Sequence, residues 1–185
     1  MTRTEIQAVV NVLRGRRILV IGDVILDEYW IGRAERLSRE APVPVLELQR
    51  EFSLPGGAAN PASNIVALGG HAAMVGIVGE DGAGRTLVNL LTERGIGVQG
   101  LITDHARPTT TKTRLLAEAS LRFPQHLARI DRVERRAVSE EVEQALCAAI
   151  TVSAADADAL LVSDYKGGVV TARVVETVLC SARQR

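Results

Sequence analysis

Apolar residues recur along the chain with helical spacing in some stretches and as compact runs in others, and the two kinds alternate. Ile6, Val9, Val10 and Leu13 share one face of a predicted helix over residues 4–13. Next comes Arg17-Ile18-Leu19-Val20-Ile21-Gly22-Asp23. A run this apolar predicts a strand buried on both faces, with a functional loop at its carboxyl end. Residues 73–79 and 159–164 read in the same way, as buried strands, and 98–102 as a shorter third strand. Helices are predicted over 58–68 (stopped by Gly69-Gly70), from an Asp81 cap to about Arg94, from a Ser139 cap to Ile150, and over 171–182. This alternation of strand and helix predicts an α/β fold, a mainly parallel sheet flanked by helices.

Two stretches depart from it. Residues 28–52, interrupted by Pro42 and Pro44, carry only short β-like pieces, and proline confines such pieces to sheet edges or strand starts. Residues 109–116 and 121–130 form a second excursion, rich in Thr and alternating charge. The two are expected to pair into one small sheet, a lid over the strand ends with segments at about 28–52 and 109–130.

Composition narrows the function classes. Hydrophobic residues are 46% and charged residues 24% of the chain, which fits a folded globular domain, and aromatics are only 3%, so aliphatic side chains must build the core. The 22 basic and 22 acidic residues balance, leaving no field to attract nucleic acid or a membrane. No apolar stretch has the length of a signal-peptide core or a membrane span, so a soluble, cytoplasmic protein is expected. Cys147 and Cys180 are expected to be buried free thiols.

Three segments carry candidate chemistry. In Gly56-Gly57-Ala58-Ala59-Asn60, adjacent glycines admit a ligand close to the backbone, the helix start offers free amides, and Asn60 suits a sugar hydroxyl. A plain turn and cap is the competing reading. Asp27 and Asp23, read as loop residues beyond the strand end, either accept hydroxyl hydrogen bonds or are solvated. In Ser163-Asp164-Tyr165-Lys166-Gly167, Lys166 is a candidate for a phosphate or a surface lysine. Lys112 and Arg114 would share one face opposite Thr113, presenting two cations on the lid or solubilising an edge strand. Gly79-Glu80-Asp81-Gly82-Ala83-Gly84 lacks the phosphate-loop ending and reads as a turn with Asp81 as cap. His71, His105 and His126 are too scattered to be metal ligands.

Taken in order, these segments resemble the ribokinase (PfkB) family of carbohydrate kinases. Gly56-Gly57-Ala58-Ala59-Asn60 is similar to its first signature. Gly22-Asp23-Val24-Ile25-Leu26-Asp27-Glu28-Tyr29-Trp30, Glu40 to Val45, Pro108 to Arg114, Ala128 to Arg132 and Ser163 to Gly167 are similar to the kinase domain of bifunctional heptose-phosphate kinase/ADP-heptose synthases. The resemblance implies a ribokinase-like fold, with residues 1–185 as the N-terminal part of one domain and a β lid that often joins a second subunit in a homodimer. It implies that Asp27, Gly56, Gly57 and Asn60 hold sugar hydroxyls, with Lys112 and Lys166 near the substrate or phosphates. The implied reaction moves the γ-phosphoryl group of ATP, with Mg2+, to the anomeric hydroxyl of D-glycero-D-manno-heptose 7-phosphate.

The family's second signature, Gly-Ala-Gly-Asp, supplies the general base and has no match here: Gly82-Ala83-Gly84 is followed by Arg85. The catalytic base and the C-terminal nucleotide-binding half are therefore expected beyond residue 185, and no kinase activity is expected of this chain alone. Two alternatives stay open, a non-catalytic sugar-phosphate-binding or interaction module, and a PfkB-family kinase for another sugar or a nucleoside.

Overall fold

The computed structural model describes residues 2–118 and 125–183. Helix α1 (Arg3–Leu13) starts on a capping box between Thr2 and Glu5, a signal the apolar spacing does not carry. Strand β1 (Arg17–Gly22) runs on, with only Asp23 between, into the 14-residue β2 (Val24–Leu37), which pairs antiparallel with the equally long β3 (Pro44–Gly57). Then follow α2 (Ala59–Ala67), β4 (His71–Gly79), α3 (Gly82–Glu93) and β5 (Gly97–Asp104), and after them β6 (Thr111–Glu118) and β7 (Gln125–Arg132). The remaining elements are α4 (Glu140–Ala154), β8 (Ala159–Ser163) and α5 (Ala172–Arg183). Residues 121–124 of the predicted lid strand lie outside the described residues.

Two four-stranded sheets result. The main sheet has the order β5-β4-β1-β8 and all its pairings are parallel. Successive side chains of β1 point to opposite faces. Leu19 and Ile21 join Val75 and Ile77 against Leu146 and Ile150 of α4 and Val174 and Val178 of α5. Val20 joins Met74 and Val78 against Ala59 and Ala62 of α2 and Leu87 and Leu91 of α3. Each fully buried aliphatic side chain here contributes about 1.5–3 kcal/mol. Both faces of the sheet are thus covered, as the uninterrupted apolar runs predict.

The second sheet is the lid, ordered β3-β2-β6-β7. As expected, the two excursions pair with each other, through parallel β2 and β6. Pro44 opens β3, and Pro55 lies within it, which is tolerated because β3 is an edge strand. Three expectations need correcting. The first excursion is two long strands rather than short pieces. Strand β6 is interior, between β2 and β7, so Lys112 and Arg114 do not solubilise an edge. Strand β8 is not buried: among the described residues it pairs with β1 alone, and Val162 is 40% exposed.

Candidate functional site

The chain passes from main sheet to lid at the carboxyl end of β1, the position where open α/β sheets form crevices. A cavity of about 130 Å³ opens there, lined by Asp23 from the β1 end, Lys112 from β6, Arg129 and Asp131 from β7, Arg135 beyond it, and Tyr165 after β8.

Asp27 is not a loop residue. It lies in β2, between Leu54 of β3 and Lys112 of β6 in the cross-strand register. Its carboxylate accepts a 2.8 Å hydrogen bond from Arg114, and both side chains are about four-fifths buried. The guanidinium of Arg114 lies 5.0 Å from the centre of the Tyr29 ring, which stacks on Phe52 at 4.8 Å. Cation, carboxylate and ring thus fix one another. Gly56-Gly57 is likewise strand, paired with Ile25 and Val24, rather than a turn. The space above each glycine is taken by the protein itself. A Cβ on Gly56 would stand 2.3 Å from an Asp27 carboxylate oxygen. Gly57 has φ of +57°, and a Cβ there would stand 2.3 Å from the Asp23 carbonyl oxygen. The glycines therefore let two aspartates close in on the strand, and Asn60 sits exposed in the first turn of α2, outside the cavity lining.

Asp23 is the hub that sequence reasoning left undecided. It is only 4% exposed. One carboxylate oxygen accepts from the amides of Tyr165 (2.7 Å) and Gly167 (3.1 Å), and the other accepts from the amide of Val169 (3.2 Å). Its carbonyl accepts from the amide of Ala58 at 2.9 Å. One residue thus anchors both the loop after β8 and the start of α2. Arg107, which the sequence did not single out, holds the same loop from its other side. It donates to the carbonyls of Gly167, Arg136 and Ala137. Its Nε lies 2.8 Å from the Asp104 carboxylate but off the hydrogen-bonding line, so that contact is ionic. A buried Gly-Asp directly after an apolar run was the available signal for Asp23; nothing local marks Arg107.

The predicted cations separate. Lys112 faces the cavity with its ammonium 5.3 Å from the centre of the Tyr165 ring, while Thr113 points the other way and donates to Glu28. Lys166 turns outward: its side chain is 83% exposed and pairs with Asp164 at 3.0 Å. It is also the one described non-glycine residue with positive φ, at 62°. The Lys166 amide, ahead of its ammonium, holds the Asp164 carboxyl below the ordinary range. Arg129 grips Asp131 through two nitrogens at 2.7 and 2.9 Å, which lowers the carboxyl and raises the guanidinium.

The turn at Gly79–Gly84 behaves as read. Asp81 caps α3 through the amide of Gly84 at 2.8 Å. Burial pushes its carboxyl up, but the Thr109 hydroxyl, the Gly84 and Thr109 amides and Arg132 together hold it below the ordinary range. Among the described residues no group of three or more His, Cys, Asp or Glu is placed to hold a metal ion. Cys147 is half-buried and Cys180 exposed, so the second thiol departs from the buried expectation. Among the described residues no helix is long and apolar enough to cross a membrane.

Residues 16–171 match the family described as pfkB family carbohydrate kinase. The bifunctional protein HldE of Geotalea uraniireducens is 42% identical over 185 residues, and that of Bradyrhizobium diazoefficiens 41% over 180. These alignments cover 100% and 97% of this chain but 36% of each relative, so the chain spans about a third of their length. Among solved structures, phosphofructokinase-2 from Escherichia coli, in complex with substrates and products, superposes with a TM-score of 0.66 at 21% identity, covering 92% of this chain and 51% of its own. A carbohydrate kinase from Agrobacterium tumefaciens gives 0.60 at 20% identity, covering 91% and 50%. At such identities the likeness is one of fold, the ribokinase-like sheet with its lid. The match over residues 16–171, which takes in the β1 end, the glycine segment and the loop after β8, establishes that this chain belongs to the pfkB family of carbohydrate kinases.

Proposed function

We propose that this chain carries the sugar-phosphate site of an ATP-dependent kinase acting on the anomeric hydroxyl of D-glycero-D-manno-heptose 7-phosphate. The observation that carries the reading is the row Asp27, Lys112, Asp131 across β2, β6 and β7, on a lid sheet joined to a cavity at the end of β1. Asp27, oriented by Arg114 and seated against Gly56, has a free oxygen lone pair for sugar hydroxyls. Gly57, which lets β3 close against the Asp23 carbonyl, and Asn60, in the first turn of α2, are assigned to further sugar hydroxyls. Lys112 faces the substrate. Lys166, outward and at the loop's surface, is placed for a phosphate arriving from solvent rather than for the cavity.

The family's co-substrate is ATP with a divalent metal. The described residues offer no metal-binding cluster, and the Gly84 amide of the Gly79–Gly84 turn is committed to Asp81, so this turn does not fit the nucleotide phosphates or their metal. What these residues can do is bind, orient and exclude water, which is most of what phosphoryl transfer asks of a protein. Pairing of two copies through the lid is part of the proposal, supported by exposed Trp30, Leu48, Phe52 and Ile130 on its strands.

Calorimetric titration of the chain with D-glycero-D-manno-heptose 7-phosphate tests the reading. Binding is expected, and Asp27→Ala should weaken it about tenfold or more, the worth of hydrogen bonds to a charged group. An Asp27→Ala variant that folds and binds as tightly as the parent would sink the assignment.

A further inference from the structure

Arg107 lies outside the cavity lining, yet it is one of the most committed side chains of the fold. Its side chain is 9% exposed and that of its ionic partner Asp104 6%. Asp104 is itself anchored, accepting from the Ala106 amide at 2.9 Å. From this base the guanidinium reaches three backbone carbonyls. Nη1 donates to Gly167 and Arg136, both at 3.2 Å, and Nη2 to Ala137 at 3.1 Å. Arg107 belongs to the linker between β5 and β6, Arg136 and Ala137 to the linker between β7 and α4, and Gly167 to the loop after β8. One side chain thus ties three segments that meet at the carboxyl end of the main sheet. The last two also touch directly, through the Val138 amide and the Gly168 carbonyl at 3.2 Å.

Gly167 is held at both ends by opposite charges. Its N–H donates to the Asp23 carboxylate at 3.1 Å, and its carbonyl accepts from Arg107 at 3.2 Å. Hydrogen bonds to ionised groups are the strong ones. Two residues earlier, the Tyr165 amide is bound to Asp23 at 2.7 Å, so the short stretch between carries the ring on a fixed base. That ring lines the cavity and lies 5.3 Å from the Lys112 ammonium.

We propose that Arg107 is a positioning residue for the cavity: by holding the Gly167 carbonyl it sets the Tyr165 ring against Lys112, and through that wall it governs sugar-phosphate binding. The role in binding rests on the sugar-phosphate reading. The planar fork of a guanidinium spans several carbonyls at once, whereas a lysine ammonium is a point charge. Arg107→Lys therefore keeps a cation beside Asp104 but loses the span. Removing the charge from both partners, as in Asp104→Asn/Arg107→Gln, avoids an uncompensated buried carboxylate.

Nuclear magnetic resonance with lysine-selective 13C labelling reads the position of the ring. Lys112 and Lys166 are the only lysines of the chain, and Lys166, with its side chain 83% exposed, is the internal reference. The ε-methylene protons of Lys112 should lie upfield of those of Lys166, and Tyr165→Leu should remove the displacement. Arg107→Lys and the double variant should each lose most of it. Both should also weaken D-glycero-D-manno-heptose 7-phosphate in calorimetry, by about tenfold. Leu91→Ala, in the core on the other face of the sheet from α4 and α5, should lower the urea midpoint and leave the Lys112 signal in place. A folded Arg107→Lys or double variant with the parent's Lys112 signal overturns the proposal while the sugar reading stands. So does a displaced signal with unchanged affinity, or a Leu91→Ala variant that moves the signal as far. If the parent binds no heptose phosphate but the Lys112 signal still depends on Arg107, the positioning of the wall holds and the heptose reading falls.

Discussion

Replacing Asp23 isolates the contribution of one buried carboxylate to the geometry of the site. Its two oxygens accept from three amides, those of Tyr165 and Gly167 on one oxygen and Val169 on the other. Asp23→Ala leaves all three donors without their acceptor. Hydrogen bonds to a charged group are worth about 1.5–3 kcal/mol each. The sum is not additive, because Tyr165 is exposed and Gly167 half-buried, so water can reach those amides. Val169 is 1% exposed, and its amide has no such recourse. A total loss of about 3–4 kcal/mol is therefore expected for Asp23→Ala. In Asp23→Asn the amide oxygen can keep the Tyr165 and Gly167 bonds, but the NH2 group then faces the Val169 N–H, so about 2 kcal/mol should be lost. Urea unfolding at pH 7 measures both; at a slope of about 2 kcal/mol/M the midpoints should fall by roughly 1.5–2 M and 1 M. Amide exchange supplies the local readout. Tyr165, Gly167 and Val169 should lose protection in Asp23→Asn while Val75, in the middle of β4, changes only with global stability. A stable Asp23→Asn variant, within about 0.5 kcal/mol of the parent and with those three amides still protected, would refute the clamp.

Other positions give sharper single outcomes. Lys166 holds a positive φ, so Lys166→Gly should be neutral or stabilise by up to about 1 kcal/mol in urea, whereas Lys166→Val should cost about 1–2 kcal/mol; a Gly variant clearly less stable than the parent would contradict the backbone assignment. The Asp81 carboxyl is held below its ordinary value of 3.8, so its contribution is present above that pH and is lost as pH falls through the lower, folded value. Thr109→Val removes the donor to Asp81 and the acceptor for the Gly79 amide. It should cost about 2 kcal/mol at pH 7 and show a smaller further loss between pH 5 and pH 3 than the parent; an undiminished acid slope would count against it. Trp30→Glu on the exposed lid surface should move the protein toward monomer in sedimentation velocity with little change in melting temperature, and an unchanged distribution would exclude the lid as the contact.

The main sheet was legible because a strand buried on both faces has no polar alternation, and β1 and β4 show none. Its edges were not. An apolar run such as Ala159–Val162 looks the same whether it has one neighbour or two, and only the tertiary pairing leaves Val162 exposed. The lid was legible as β structure and in its pairing, but its extent was misread at both junctions for one reason. Gly22-Asp23 and Pro55-Gly56-Gly57 carry the residues of turns, yet in the structure they permit close approach inside or between strands: Gly56 beneath Asp27, Gly57 beneath the Asp23 carbonyl. Local chemistry distinguishes a glycine that bends the chain from one that makes room only when the group filling the room is known. For Asp27 that meant a carboxylate in a strand instead of a loop. For Arg107 and the amide bonds of Asp23, the partners lie too far along the sequence for any window to connect them.

These contacts also explain why the candidate residues come together at all. Asp27, Lys112 and Asp131 belong to the lid, and their alignment is set by strand register alone. Tyr165 belongs to the loop after β8, which among the described residues has no strand pairing to the lid. Something must hold the two parts in a fixed relation for the Lys112 ammonium to sit over the Tyr165 ring. Asp23 does so at the seam, since its backbone continues from β1 into β2 while its side chain holds the Tyr165 loop. Gly57 reinforces the seam by letting the β3 end close against the same residue. A rigid joint there makes the cavity a property of the whole fold, and any motion of the lid must then occur beyond it, toward the far ends of β2 and β3. The register breaks between Ile31 and Gly32 and between Ala34 and Arg36 lie in that outer part, where β-bulges add twist and bend to a strand. The inner part of β2, which carries Asp27, is left in unbroken register from Val24 to Ile31.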